Sequence, residues 1–290
     1  MSYANPEYLI EPEALAAELG SERLKIFDAT VHLVPAERGY RAESGLDDYL
    51  SGHVPGAAFL DQIRAVSDTS TGLGFSLPAP EALQAGLRAA GLSEGDRVVL
   101  YSTGHMMWAT RAWWLLHYAG LDNVAVLNGG FRGWTEAGLP TTSEATEHPP
   151  GDLTVRPRSE RFVDQAVVLA AIGDGSICTV NALSPDVYSG EAAMSYGRKG
   201  HITGSVNVHY DDLLDKGRFR PADELRSVLS SKGLLDADRV IAYCGGGISA
   251  TIDAFACLLV GKQSVAVYDG SMSEWVRDES LPMTEGSEPG

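Results

Sequence analysis

Short apolar runs rich in β-branched residues alternate along this chain with stretches of helical spacing. Lys25-Ile-Phe-Asp, Arg97-Val-Val-Leu-Tyr and Asn123-Val-Ala-Val-Leu are continuous enough to be strands buried on both faces. Pro80-Glu-Ala-Leu-Gln-Ala-Gly-Leu-Arg-Ala-Ala, ending at Gly91, places apolar residues three and four apart, with proline in front and glycine behind. Pro221-Ala-Asp-Glu-Leu-Arg-Ser-Val-Leu, ending before Gly233, does the same, and both read as helices. The alternation predicts an α/β fold, a mainly parallel sheet with helices on both faces. In such sheets ligands sit beyond the carboxyl ends of the strands, which directs attention to the residues just after Tyr101 and Tyr243.

The pattern occurs twice. Gly52-His-Val-Pro-Gly-Ala returns as Gly200-His-Ile-Thr-Gly-Ser. Ala90-Gly-Leu-Ser-Glu-Gly-Asp-Arg-Val-Val-Leu-Tyr returns as Lys232-Gly-Leu-Leu-Asp-Ala-Asp-Arg-Val-Ile-Ala-Tyr. Val124-Ala-Val-Leu-Asn-Gly-Gly returns as Val265-Ala-Val-Tyr-Asp-Gly-Ser, and Trp134 and Trp275 follow at matching distances. Blocks that keep their order over so long a period predict two copies of one domain rather than a solenoid. The polar stretch from Thr141 to Thr154, with Pro149 and Pro150, has no periodicity and reads as a linker. The expected organisation is therefore a domain over 1–142, a linker over 143–157 and a second domain over 158–290.

Composition narrows the function classes. A net charge of -17 disfavours nucleic acid and anionic membranes, and obliges any anionic substrate to find a local positive pocket. No apolar run approaches a membrane span, and the stretch from Met1 to Glu7 has no basic, apolar leader character, so a cytoplasmic protein is expected. Three cysteines without CxxC spacing fit neither a disulfide framework nor a zinc site.

Among those three, Cys244 stands apart. It follows the strand Arg239-Val-Ile-Ala-Tyr, precedes Gly245-Gly246-Gly247-Ile248-Ser249-Ala250, and a helical run begins at Thr251. Glycines let the backbone curl so that successive N–H groups face inward, and such a cradle at a helix start favours a thiolate. It would equally hold a persulfide anion or an incoming oxyanion. Cys178 lies within a strand pattern and Cys257 lies beside Phe255, Leu258 and Leu259 on the helix; both read as core packing. In the first copy Ser102 stands opposite Cys244, without a G-x-S-x-G elbow, so that copy reads as catalytically silent. A cysteine phosphatase is disfavoured because Ala250 stands where phosphate chemistry needs an arginine, and a P-loop because no lysine follows the glycines.

Nearly the whole chain resembles the tandem rhodanese family, which includes thiosulfate and 3-mercaptopyruvate sulfurtransferases. The resemblance rests on the paired Gly-His-x-x-Gly blocks, Arg111-Ala-Trp-Trp-Leu-Leu, Leu127-Asn-Gly-Gly-Phe-Arg-Gly-Trp and Tyr268-Asp-Gly-Ser. It implies two tandem rhodanese-like domains and a catalytic loop opening at Cys244. It also implies transfer of a sulfane sulfur from a small anionic donor to a thiol, a dithiol protein or cyanide, with no metal or organic cofactor. The uncharged loop looks closer to mercaptopyruvate enzymes, since thiosulfate-preferring relatives usually carry basic residues there. Gly246 stands where that pattern often has serine, Ser249 where it has threonine, and Asn181 where aspartate is usual. Val187 occupies the place of the substrate-gripping arginine, which makes Arg198 and Lys199 the nearest replacement cations in sequence. Gly245, Gly246, Gly247, Ile248 and Ser249 are expected to bind the substrate; His53 and His201, recurring in both copies, read as sharing a structural role, with His53 as a further substrate-binding candidate and Asp269 as a turn residue. The alternative to an enzyme is a non-catalytic sulfur carrier or redox sensor of the same fold.

Overall fold

The computed structural model describes residues 2–35 and 40–290; Met1, where the leader reading began, lies outside the described residues. In the first half the strands are β1 (Leu9–Ile10), β2 (Leu24–Asp28), β3 (Val31–Pro35), β4 (Tyr40–Ser44), β5 (Ala57–Phe59), β6 (Arg97–Tyr101) and β7 (Val124–Leu127). The helices there are α1 (Pro12–Glu18), α2 (Leu46–Ser51), α3 (Pro80–Ala89), α4 (Met107–Tyr118) and α5 (Gly130–Glu136). The second half contributes β8 (Phe162–Val163), β9 (Ile177–Asn181), β10 (His201–Ile202), β11 (Val206–Asn207), β12 (Leu214–Asp215), β13 (Arg218–Phe219), β14 (Arg239–Tyr243), β15 (Val265–Tyr268) and β16 (Met283–Thr284). Its helices are α6 (Gln165–Ala171), α7 (Pro185–Ser189), α8 (Ala222–Ser231), α9 (Ala250–Leu259) and α10 (Ser271–Trp275).

Each half builds a five-stranded sheet, in the order β1-β7-β6-β2-β5 and β8-β15-β14-β9-β11, and every pairing within both is parallel. The two orders are the same topology used twice, as the duplicated blocks predict. Registers match as well: Asp28 lies opposite Tyr101 in one sheet and Asn181 opposite Tyr243 in the other. Asp28 Oδ1 accepts the Thr30 N–H at 2.9 Å, and Asn181 Oδ1 accepts the Leu183 N–H at 2.8 Å. Asparagine at 181 thus keeps the turn-forming acceptor without a buried charge.

Helices α4 and α9, which follow the equivalent central strands, are buried almost all round. A helix apolar on every side has to be covered by protein on every side, and these two cover each other. Trp113 meets Phe255 edge-on with ring centroids 4.9 Å apart, and the buried hydroxyls of Thr110 and Thr251 pair at 2.8 Å. One continuous core therefore includes residues of both halves.

Asp253 interrupts this apolar contact. It is wholly buried in α9, and apart from a weak contact with its own amide its carboxylate oxygens have no partner among the described residues. Burial pushes its carboxyl well above the ordinary carboxylate range. The folded protein then binds a proton that the unfolded chain releases, so stability falls as pH rises from about 4 towards the raised folded value. Asp253→Leu removes that titration. We expect it to raise stability by about 1–3 kcal/mol at pH 8, with a smaller gain near pH 4, in pH-dependent thermal denaturation.

Candidate active site

Cys244 directly follows β14, at the carboxyl edge of the second sheet, and is only 2% exposed. The segment from Cys244 to Ser249 is held through most of its carbonyls, which accept hydrogen bonds from neighbouring residues. Met272 N–H donates to Cys244 O at 3.0 Å, and Ser273 donates to Gly245 O through N–H at 2.8 Å and Oγ–H at 2.7 Å. Arg111 Nη1 donates to Gly247 O at 3.1 Å, and Thr251 donates to Ile248 O through both N–H and Oγ–H. The N–H groups of residues 245–250 find no protein acceptor among the described residues. Consecutive free amides on a curled backbone at a helix start form an anion-binding concavity. Cys244's own N–H donates to Ser271 Oγ at 3.1 Å, and Ser271 Oγ–H donates to Tyr268 O at 2.7 Å. Ser271 has φ +48, an uncommon conformation for a non-glycine residue.

Two of the three glycines are sterically required. A Cβ at Gly245 would collide with the Tyr196 phenol, and one at Gly247 would stand 2.5 Å from Asp269 O. Gly247 also has φ +73, in the left-handed region that glycine enters freely.

The loop is buttressed from the other half of the chain. Arg111, on α4 and 1% exposed, also reaches Phe75 O at 2.5 Å and the Asp269 carboxylate at 2.7 Å, with its guanidinium 4.9 Å over the Phe162 ring. Asp269 Oδ2 accepts the Leu77 N–H at 2.7 Å. Asp269 therefore ties the two halves together, which extends the turn role expected for it. Its counterpart Asn128 accepts the Phe219 N–H at 3.1 Å, so the junction is stapled from both sides. Arg111 was noticed in the sequence only as part of a family mark. Its action at the loop depends on tertiary packing.

A cleft of about 680 Å³ is lined by Tyr40, Ala193, Met194, Ser195, Tyr196, Gly197 and Ser273, and it adjoins the loop through Tyr196, which packs on Gly245, and Ser273, which bonds Gly245 O. None of these is a cation. Arg198, expected with Lys199 as the nearest replacement cation, donates to Asp278 O at 3.1 Å, and neither residue lines the cleft. His53 is likewise outside it: wholly buried, stacked on Tyr49, with its ring nitrogens on Tyr49 O at 2.6 Å and Glu144 O at 3.1 Å. His201 repeats that arrangement on Tyr188, so the histidine of each block packs its own domain.

The other two cysteines sit elsewhere. Burial pushes the half-buried Cys178 thiol up to about 11 despite nearby Lys262, and burial also pushes up Cys257, which is fully enclosed on α9. At the matching loop of the first half, Ser102 Oγ accepts the Gly104 N–H at 3.1 Å and lies 3.4 Å from Thr30 Oγ1. The nearby His105 ring is engaged by Asp211 at 2.9 Å and the Met107 N–H at 3.1 Å, so it is not free to serve Ser102 as a base.

The sequence model of the rhodanese-like domain matches this chain twice, over residues 11–137 and 165–278. The 3-mercaptopyruvate sulfurtransferase of Escherichia coli is 30% identical over 278 residues, covering 95% of this chain and 97% of its own. The probable 3-mercaptopyruvate sulfurtransferase of Pseudomonas aeruginosa is 34% identical over 286 residues, covering 96% and 98%. The thiosulfate sulfurtransferase of Mus musculus is 33% identical over 279 residues, covering 93% and 92%. Among solved structures, the Escherichia coli 3-mercaptopyruvate enzyme SseA superposes with a TM-score of 0.81 at 29% identity, over 92% of this chain and 99% of that one. With two domain matches, relatives that align from end to end and a cysteine in the anion cradle of the second domain, the chain belongs to the rhodanese family, as a tandem-domain sulfurtransferase.

Proposed function

We propose that Cys244 carries the transferred sulfur as a persulfide, taking it from 3-mercaptopyruvate or thiosulfate and passing it to a thiol, a dithiol protein or cyanide. The observation that carries this reading is the run of amides over residues 245–250, directly after Cys244, that find no acceptor among the described residues while carbonyls of the same loop are engaged by neighbouring residues. Inward N–H groups and the start of α9 stabilise a thiolate. The thiolate attacks the donor's outer sulfur, and the resulting Cys244–S–S⁻ places its charge in the same cradle. An acceptor nucleophile then attacks the terminal sulfur and the thiolate returns.

In this reading the first domain contributes Arg111 and packing, while Ser102 takes no part in the chemistry. The working division is that of the two copies, 1–142 and 158–290. The three unpaired cysteines suit a reducing compartment such as the cytoplasm.

Among the described residues no cation lines the cleft, so in this reading the loop amides carry the hold on an anionic donor, and KM values around or above ~1 mM are expected. Steady-state kinetics with each donor against cyanide test the scheme. Parallel double-reciprocal lines, with a modestly larger kcat/KM for mercaptopyruvate, are expected. Intersecting lines, which require both substrates bound together, would contradict a persulfide intermediate.

A further inference from the structure

The two donors leave different problems behind. When thiosulfate gives up its outer sulfur, the S–S bond breaks and sulfite departs with the electron pair, needing no proton. When mercaptopyruvate does so, a carbon–sulfur bond breaks, the pair moves to carbon, and the pyruvate enolate has to gain a proton. An enzyme for the second donor therefore benefits from a general acid beside Cys244.

The cleft contains few groups able to serve. Among the described residues that line it, the ionisable side chains are the phenols of Tyr40 and Tyr196. Tyr40 is 56% exposed at the start of β4. Tyr196 is half-buried and lies against the Cα of Gly245, the residue after the nucleophile, so closely that a side chain at 245 would strike it. Its hydroxyl has no hydrogen-bond partner among the described residues. The aliphatic hydroxyl of Ser273 is less suited, since it already donates to Gly245 O.

We propose that Tyr196 relays the proton in the carbon–sulfur-cleaving half-reaction, an inference that rests on the Cys244 persulfide reading. The Cys244 thiolate attacks the mercaptopyruvate sulfur, so an Sγ–S bond forms as the C–S bond breaks. The Tyr196 phenol gives its proton to the enolate carbon and recovers one from the S–H of the new hydropersulfide. The proton of the donor's thiol thus ends on the methyl group, leaving Cys244–S–S⁻ and pyruvate. Burial, and next the negative charge of the Cys244 sulfur, pushes the Tyr196 phenol up, which keeps it protonated and ready to donate at neutral pH.

Tyr196→Phe keeps the ring over Gly245 and removes only the hydroxyl. Single-turnover charging of the full chain, followed by intact-mass spectrometry with each donor separately, reads the effect. Charging from mercaptopyruvate is expected to slow about 100-fold while charging from thiosulfate stays within about threefold of wild type. Equal slowing with both donors would assign Tyr196 a merely steric role, and no slowing with either would remove it from the chemistry; both overturn the proposal. A wild-type protein that charges from thiosulfate alone also overturns it. One that charges from neither donor removes the sulfurtransfer reading beneath it, so the two failures are distinguishable.

Discussion

Cys244→Ser is expected to reduce sulfur transfer to background with either donor, while Cys178→Ser and Cys257→Ser retain the chemistry. The carried sulfur needs a sulfur nucleophile in the amide cradle, and a serine hydroxyl there stays protonated and forms no persulfide. The substitution is nearly isosteric at a site already held by Ser271 and Met272, so the fold should survive. The other cysteines cannot substitute, because burial holds Cys178 at about 11 and also raises Cys257. Cys257→Ser buries a hydroxyl in a closed apolar site and should cost about 1–3 kcal/mol of stability, so its activity is compared below its own melting transition. Thiocyanate or sulfide release checks all three variants.

Arg111→Ala should damage both stability and turnover. Arg111 is 1% exposed against a carboxylate that is 19% exposed, and it also satisfies two backbone carbonyls. Removing one partner of such a pair strands the other, at a cost of about 3–5 kcal/mol. For a chain of this size that lowers Tm by roughly 10 °C. Turnover should fall further than the loss of folded protein explains, because the Gly247 carbonyl is freed to rotate and its neighbouring amide with it. Arg111→Lys separates the two effects. An ammonium can meet Asp269 but lacks the guanidinium fork that also reaches Gly247 O and Phe75 O. Stability should partly recover while kcat stays low. Full recovery of kcat by lysine would show that only the charge matters.

What could be read in advance follows the range of the interactions involved. The repeated blocks, the strand–helix alternation and the Cys244 loop are local patterns, and the parallel sheets, α9 and the cradle appear where those patterns place them. The Ala90–Tyr101 and Lys232–Tyr243 blocks become β6 and β14 with the segments that lead into them, at matching places in matching sheets. Arg111, Asp269 and Tyr196 are different, because each acts through a contact made only after the halves pack. One signal was available: α4 and α9 read as apolar on every face, which already requires them to be mutually covered and brings Arg111 near the loop. Arg198 and Lys199 stand outside the cleft lining because nearness in sequence says little about which residues of an eleven-residue loop face a given wall.

The account stands on Cys244 holding sulfur. Wild-type protein incubated with mercaptopyruvate or thiosulfate in the absence of an acceptor, then measured by intact-mass spectrometry and peptide mapping, tests this most directly. The account predicts a gain of one sulfur atom, located on the peptide that contains Cys244 and removed by cyanide. No gain in mass, or a gain located on Cys178 or Cys257, would contradict it.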